Sequence, residues 1–182
     1  MVSVPNFISI ARLLCVPVIV WLIVTNEMRA AFWLFVAAGL SDAVDGYIAK
    51  KFNASTALGR YIDPLADKTL LVSVFVTLGL RGALPDWLVI LVVFRDLLII
   101  GGALLFHTLT DRTMRMEPVL ISKINTLLQI LLIGIVMAHL GLGLDDRGAA
   151  SVLIYATAVT TVLSGAAYLV RWVRGTAEAE RA

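Results

Sequence analysis

Asp42, Asp45, Asp63 and Asp67 fall within one 26-residue span of a chain that is otherwise poor in charge. Asp42, Asp45 and Ala49 are spaced i, i+3 and i+7, and Gly46 lies on the same side. Gly59, Asp63 and Asp67 are spaced i, i+4 and i+8. On helices, each set predicts one face. Four carboxylates with no histidine or thiol form a hard oxygen site, suited to Mg²⁺, Mn²⁺ or Ca²⁺ rather than zinc. Four negative charges balance two divalent ions, and a pair of such ions is the clamp used for in-line displacement at phosphorus. The neighbouring Lys50, Lys51, Arg60 and Lys68 suit phosphate groups. Gly46, Ala49 and Gly59 lack bulk where a ligand would have to enter. Pro64 removes a backbone donor and frees a carbonyl near Arg60. A water-exposed turn capped by acids would account for Asp42 alone, or for Lys50 and Lys51, but not for four aspartates in two matching registers.

The elements that position these residues follow from composition. Of the 182 residues, 60% are apolar and 15% charged, and the mean hydropathy is +0.93. A soluble domain is about half apolar and about one quarter charged. These values exclude a soluble enzyme, a disordered chain, a coiled coil and a nucleic-acid binder. A bilayer crossing needs roughly 20 residues, which leaves room for six crossings and no separate soluble domain. Six continuous apolar runs are readable: Phe7 to Thr25, Arg29 toward Lys50, Tyr61 to Leu80, Asp86 to Leu109, Leu120 to Leu142, and Ala149 to Trp172. Lipid offers backbone groups no partner, so these runs predict helices, and a barrel would need alternation instead. The first run carries Arg12 and no small-residue cleavage site, which reads as a retained helix. No internal repeat or low-complexity segment is present.

The expected fold is an all-α integral membrane bundle of six transmembrane helices with a cytoplasm-facing polar cavity, forming one domain over residues 1–182. Nine cations (Lys50, Lys51, Arg60, Arg112, Arg115, Lys123, Arg171, Arg174 and Arg181) fall at one set of helix ends, against Arg29, Arg81 and Arg147 at the other. The richer side is expected to face the cytoplasm, with both termini and the aspartates on it. The short turn around Lys51–Ala57 makes the second and third helices antiparallel neighbours, so their two acidic faces can meet. Asp145 and Asp146 belong to the opposite loop, where Gly141-Leu142-Gly143 reads as an ordinary turn.

The span from Asp42 to Asp67 resembles the signature of the CDP-alcohol phosphotransferase family, D-x2-D-G-x2-A-R-x8-G-x3-D-x3-D. Asp42, Asp45, Gly46, Ala49, Gly59, Asp63 and Asp67 match it at the required spacing, and Lys50 stands at the arginine position. Lysine keeps the charge and loses the bidentate fork. The resemblance implies transfer of a phosphate-bearing group from a CDP-alcohol to an alcohol with release of CMP. It assigns Asp42, Asp45, Asp63 and Asp67 to two Mg²⁺ or Mn²⁺ ions, and Asp67 also to the general base. Gly46, Ala49, Lys50 and Gly59 would shape the CDP pocket. A second segment, Ile121-Ser122-Lys123-Ile124-Asn125-Thr126, together with Asp63-Pro64-Leu65-Ala66-Asp67-Lys68, resembles the eukaryotic-type (CMP-forming) cardiolipin synthases, which also occur in some bacteria. The substrates implied are CDP-diacylglycerol and phosphatidylglycerol, in a bacterial cytoplasmic (inner) membrane and with a homodimer as the assembly. Phosphatidylglycerophosphate synthases, which use glycerol 3-phosphate, share part of the pattern and stay open as the alternative. A divalent-cation transporter is the alternative of another class, but the aspartates cluster near one side and Arg95 would repel a passing cation.

Arg95 and Asp96 lie deep in the fourth run, where charge is costly unless it faces the bundle interior. The pair is either structural or Arg95 binds an acceptor phosphate with Asp96 orienting it. Lys123, at the start of the fifth run, either binds the same phosphate or snorkels to the interface. Arg112 and Arg115 fit anionic headgroups. His107 and His139 are isolated and carry no ligand role. Cys15 is expected to be a buried inert thiol. Trp21, Trp33, Trp87 and Trp172 fit interfacial or lipid-facing positions. Gly101, Gly102, Gly134, Gly165 and Ala166 are expected at close helix contacts.

Overall fold

In the computed structural model the chain is all-α. The structure describes residues 4–52, 59–110 and 120–179, with side-chain surroundings described for residues 10–41, 66–102 and 120–172. Six helices follow one another: α1 (Val4–Val24), α2 (Met28–Phe52), α3 (Gly59–Leu80), α4 (Asp86–Thr110), α5 (Leu120–Leu142) and α6 (Ala149–Ala179). The bounds follow the apolar runs, except that α6 continues seven residues past Trp172. Hydropathy ends at Trp172, but Thr176-Ala177-Glu178-Ala179 holds no proline, and alanine and glutamate are good helix formers. A membrane-length apolar run therefore marks where lipid would end, not where the helix ends.

The helix ends explain the loops. At the end of α1, Glu27 N–H donates to Leu22 O at 2.8 Å and Asn26 N–H to Ile23 O at 3.1 Å, with Asn26 at φ 68°. This is a Schellman close, with asparagine in the left-handed position. The end of α3 repeats it: Ala83 N–H donates to Leu78 O, Gly82 N–H to Gly79 O, and Gly82 has φ 70°. Arg81 then reaches back to α1, donating to Val24 O at 3.0 Å and Asn26 Oδ1 at 2.7 Å. A cation at a helix C-terminus meets the negative end of the dipole, so Arg81 is a capping residue as well as a loop charge. Pro17 sits inside α1, and the helix runs through it.

The chain divides into two compact units. The first contains α1, α2, α3 and the end of α5 from Ile133; within it α1 packs on α3 and α2. Its interior is apolar, with Ile19, Ile23, Ala31, Val74, Leu78 and Met137 fully buried. Gly141 is required there. A Cβ on it would lie 2.8 Å from the backbone of Met28 and Arg29, so the Gly-Leu-Gly stretch, expected as a loop turn, is in part a helix-packing site inside α5. The second unit contains α4, the start of α5 to Leu132, and α6, with α4 packed on α6. Its interior is partly polar: Asn125, Thr157, Thr161 and Ser164 have no exposed surface, while Ile90, Phe94, Leu97, Val152 and Tyr155 are each more than 60% exposed. Apolar outside and polar inside reverses the usual order of a soluble protein, and an exposed apolar surface of this extent marks contact with lipid.

Two helices, Leu120–Leu142 and Ala149–Trp172, are long and apolar enough to cross a bilayer. The chain is a helical, membrane-associated protein. Trp21, Trp33 and Trp87 are exposed as expected, whereas Trp172 is half-buried and packs its indole 3.6 Å from where a Gly102 Cβ would stand. Among the glycines expected at close contacts, Gly102 and Gly165 have close neighbours and Gly101 and Gly134 have none within 4 Å. Cys15 is half-buried rather than buried, because it lies beside the inward row of Arg12, Val16 and Ile19 rather than on it.

Candidate active site

Asp42 and Asp45 occur in α2 and Asp63 and Asp67 in α3, and both helices are continuous through these positions. The helical registers on which the metal reading depends are therefore present in the backbone. The side chains of Asp42, Asp45 and Asp63, like Gly46, Ala49, Lys50 and Gly59, lie outside the described surroundings. Among the described residues no group of three or more acids, histidines or cysteines gathers. The donor set remains oxygen only, four carboxylates along two consecutive helices, which fits Mg²⁺ or Mn²⁺.

Asp67 is the aspartate of the four whose side chain is described, and it brings an unexpected partner. Its Oδ1 is ion-paired with Nη1 of Arg12 from α1. Arg12 is buried while Asp67 keeps about 40% of its side chain exposed. One end of the pair is thus fixed inside the packed helices and the other still offers carboxylate surface. The sequence marks Arg12 as an interruption of the first apolar run and assigns it no partner. The signal that could have singled it out is general: an ionisable residue inside an apolar helix has a partner, and that partner is a candidate for function.

Arg95 and Asp96 are both buried in α4 and contact each other, Nη1 donating to Oδ1 at 2.8 Å. Arg95 also binds hydroxyls of two other helices. Nε donates to Ser164 Oγ of α6 at 3.1 Å, and Nη2 donates to both Ser164 Oγ and Ser122 Oγ of α5. A Cβ on Gly165 would meet the Arg95 stem at 3.8 Å, so Ser164 and Gly165 together form a seat for the side chain. One turn further along α5, Asn125 Oδ1 accepts from Thr160 at 2.8 Å and Thr161 at 2.9 Å. Ser122, Asn125 and Gln129 share an inward row at i, i+3 and i+7. Lys123 falls off that row and is exposed, so Arg95 and Lys123 lie in the same unit but in different surroundings. His139 Nδ1 lies 2.7 Å from Leu144 O at the close of α5, a capping contact. The side chain of His107, and Arg112 and Arg115, lie outside the described residues.

A family model described as CDP-alcohol phosphatidyltransferase matches residues 2–163, which include α1 to α5, the four aspartates and about the first half of α6. The chain belongs to the CDP-alcohol phosphatidyltransferase family. Membership places it among enzymes rather than ion conduits. A cardiolipin synthase (CMP-forming)/mitochondrial hydrolase fusion protein of Schizosaccharomyces pombe is 35% identical over 182 residues, covering 92% of this chain and 31% of that protein. The cardiolipin synthase (CMP-forming) of Homo sapiens is 33% identical over 181 residues, covering 91% of this chain and 60% of that protein. A CDP-diacylglycerol–glycerol-3-phosphate 3-phosphatidyltransferase of Rickettsia typhi is 31% identical over 175 residues, covering 92% of this chain and 96% of that protein. The chain thus spans less than two thirds of the yeast and human relatives and nearly the whole rickettsial one. Family members of both acceptor types resemble it to similar degrees.

Proposed function

We propose that the chain is a metal-dependent phosphatidyltransferase that moves the phosphatidyl group of CDP-diacylglycerol to phosphatidylglycerol, giving cardiolipin and CMP. The observation that carries this reading is the placement of Asp42 and Asp45 on α2 and of Asp63 and Asp67 on α3, at the signature spacing and on helices continuous through them. Asp42, Asp45, Asp63 and Asp67 would hold two Mg²⁺ or Mn²⁺ ions, which when bound supply charge for the diphosphate and its leaving group. Gly46, Ala49, Lys50 and Gly59 shape the CDP pocket. Asp67 takes the proton from the acceptor hydroxyl as that oxygen attacks the phosphorus bearing the diacylglycerol. The bond from that phosphorus to the bridging oxygen breaks, and CMP leaves with the electron pair. Arg12 holds the Asp67 carboxylate in place. Arg95 and Lys123 bind the acceptor phosphate.

In this reading residues 1–182 form one membrane domain that crosses six times and opens a polar cavity to the cytoplasm. Both termini lie on that side of a bacterial inner membrane, and the protein works as a homodimer. The apolar outer surfaces and the nine-to-three distribution of loop cations support it. A second reading, phosphatidylglycerophosphate synthesis from glycerol 3-phosphate, is favoured by the near full-length match to the rickettsial enzyme. Purified protein supplied with CDP-diacylglycerol, Mg²⁺ and either acceptor separates them by the lipid formed. Cardiolipin supports the first reading. Phosphatidylglycerophosphate alone supports the second.

A further inference from the structure

The guanidinium of Arg95 is engaged on nearly every side. A guanidinium carries five N–H donors in a planar fork. Nε meets Ser164, Nη2 meets Ser122 and Ser164, and one N–H of Nη1 meets Asp96. Four donors are thus directed at three partners, and one N–H of Nη1 is left. The charge is balanced as well, because Asp96 is adjacent and equally buried. Two hydroxyls from two helices and a carboxylate thus satisfy four of the five donors of this buried arginine. Their common effect is to fill the edge of the fork formed by Nε and Nη2, the edge that makes parallel two-bond contacts with phosphates.

We propose that Ser164, assisted by Ser122, determines acceptor specificity by occupying this edge of Arg95. The proposal rests on the reading of Arg95 as an acceptor-phosphate ligand. Arg95 then offers one N–H to a phosphate oxygen. A phosphodiester with a single negative charge is served by that single contact. A doubly charged phosphomonoester is served less well: Lys123 supplies one further cation, and the second charge then calls for a bidentate contact that Arg95, with its Nε–Nη2 edge filled, does not offer. The site thereby favours a lipid phosphodiester over a small phosphomonoester without any group that repels the latter. Ser164 and Ser122 are positioning residues: they act through Arg95.

The test uses the full chain, purified, with CDP-diacylglycerol as donor and phosphatidylglycerol or glycerol 3-phosphate as acceptor. Ser164→Ala frees Nε and one N–H of Nη2 while adding no bulk. It is expected to shift the ratio of kcat/KM values toward glycerol 3-phosphate by about tenfold, the effect of one hydrogen bond to a charged group, with the KM for CDP-diacylglycerol unchanged within twofold. Ser164→Thr, which keeps the hydroxyl, is expected to hold the wild-type ratio. Should Ser164→Ala fail to fold, Ser122→Ala frees one N–H of Nη2 and is expected to shift the ratio in the same direction. An unmoved acceptor ratio in the folded variants, or a change shared equally by both acceptors and the donor, would overturn the proposal while leaving the transferase reading intact. A wild-type protein that uses glycerol 3-phosphate and not phosphatidylglycerol overturns the acceptor reading itself, and the proposal with it.

Discussion

Arg12, buried within α1, is ion-paired with Asp67 of α3 across 55 residues of sequence. The contact joins a helix that carries none of the four aspartates to the aspartate proposed as the base. It also sits where α1 packs on α3 within one compact unit. A guanidinium held in a packed interior has few alternative positions, so it limits the rotamers open to the carboxylate it grips.

Arg12→Gln is therefore expected to lower kcat for CMP release at least tenfold, with a smaller effect on the KM for CDP-diacylglycerol. Steady-state kinetics with the donor varied checks this. A kcat within twofold of wild type would reduce the pair to a structural tie between α1 and α3.

Asp42→Asn, Asp45→Asn and Asp63→Asn are each expected to abolish CMP release while the protein stays helical and monodisperse in detergent. Asparagine keeps the shape and removes the charge that divalent ions require. Asp67→Asn is expected to lose transfer but keep measurable CDP-lipid binding, because its larger duty is to accept a proton. Equilibrium binding of a CDP-lipid to the four variants tells them apart. If Asp67→Asn loses binding as fully as the other three, it has no separate role as base.

Chelation is expected to stop turnover, and Mg²⁺ or Mn²⁺ to restore it, while Zn²⁺ does not. Zinc prefers nitrogen and sulfur ligands, and this set has neither. Full turnover in excess chelator would remove the metal from the mechanism.

Much of the fold could be read from the sequence because lipid leaves so few options. A run of about twenty apolar residues has to be a helix, and six of them appear close to where hydropathy placed them. The aspartate pattern was legible for the same reason: charge inside such runs has to be explained. Partners were harder. Periodicity tells which face of α1 Arg12 occupies but not that Asp67 lies opposite. Ser164 is an ordinary residue in a small-residue stretch until Arg95 is seen to rest on it. Nor does composition separate a glycine that meets backbone from one that meets nothing.

That last distinction gives a stability prediction. Gly141→Ala would put a methyl 2.8 Å from the backbone of Met28 and Arg29, a clash no side-chain rotation relieves. A loss of about 1–3 kcal/mol is expected, the usual cost of overpacking. Gly134→Ala has nothing within 4 Å and is expected to be neutral or to stabilise by up to about 1 kcal/mol through helix propensity. Thermal denaturation of both variants in one detergent measures the contrast. Equal melting temperatures would mean that the α5 end does not pack on the start of α2.

Glycerol 3-phosphate is a small dianion that arrives from water, whereas phosphatidylglycerol carries two acyl chains and one charge and has to arrive laterally through lipid. Two cations are proposed for the acceptor, and they are unlike each other. Arg95 is buried and balanced by Asp96. Lys123 is exposed at the first turn of α5, where the positive end of the helix dipole adds to its charge. A monoanionic phosphodiester needs little more than Lys123 and the one remaining Arg95 donor. A dianion would need a denser set. Purified protein is accordingly expected to form cardiolipin from CDP-diacylglycerol and phosphatidylglycerol. Lys123→Ala is expected to raise the KM for the acceptor about tenfold, the value of one charge-assisted hydrogen bond, and to leave the KM for CDP-diacylglycerol within twofold. The measurement is a pair of initial-rate series, each substrate varied with the other saturating. An equal rise in both KM values would mean that Lys123 anchors α5 at the membrane surface and takes no part in acceptor recognition.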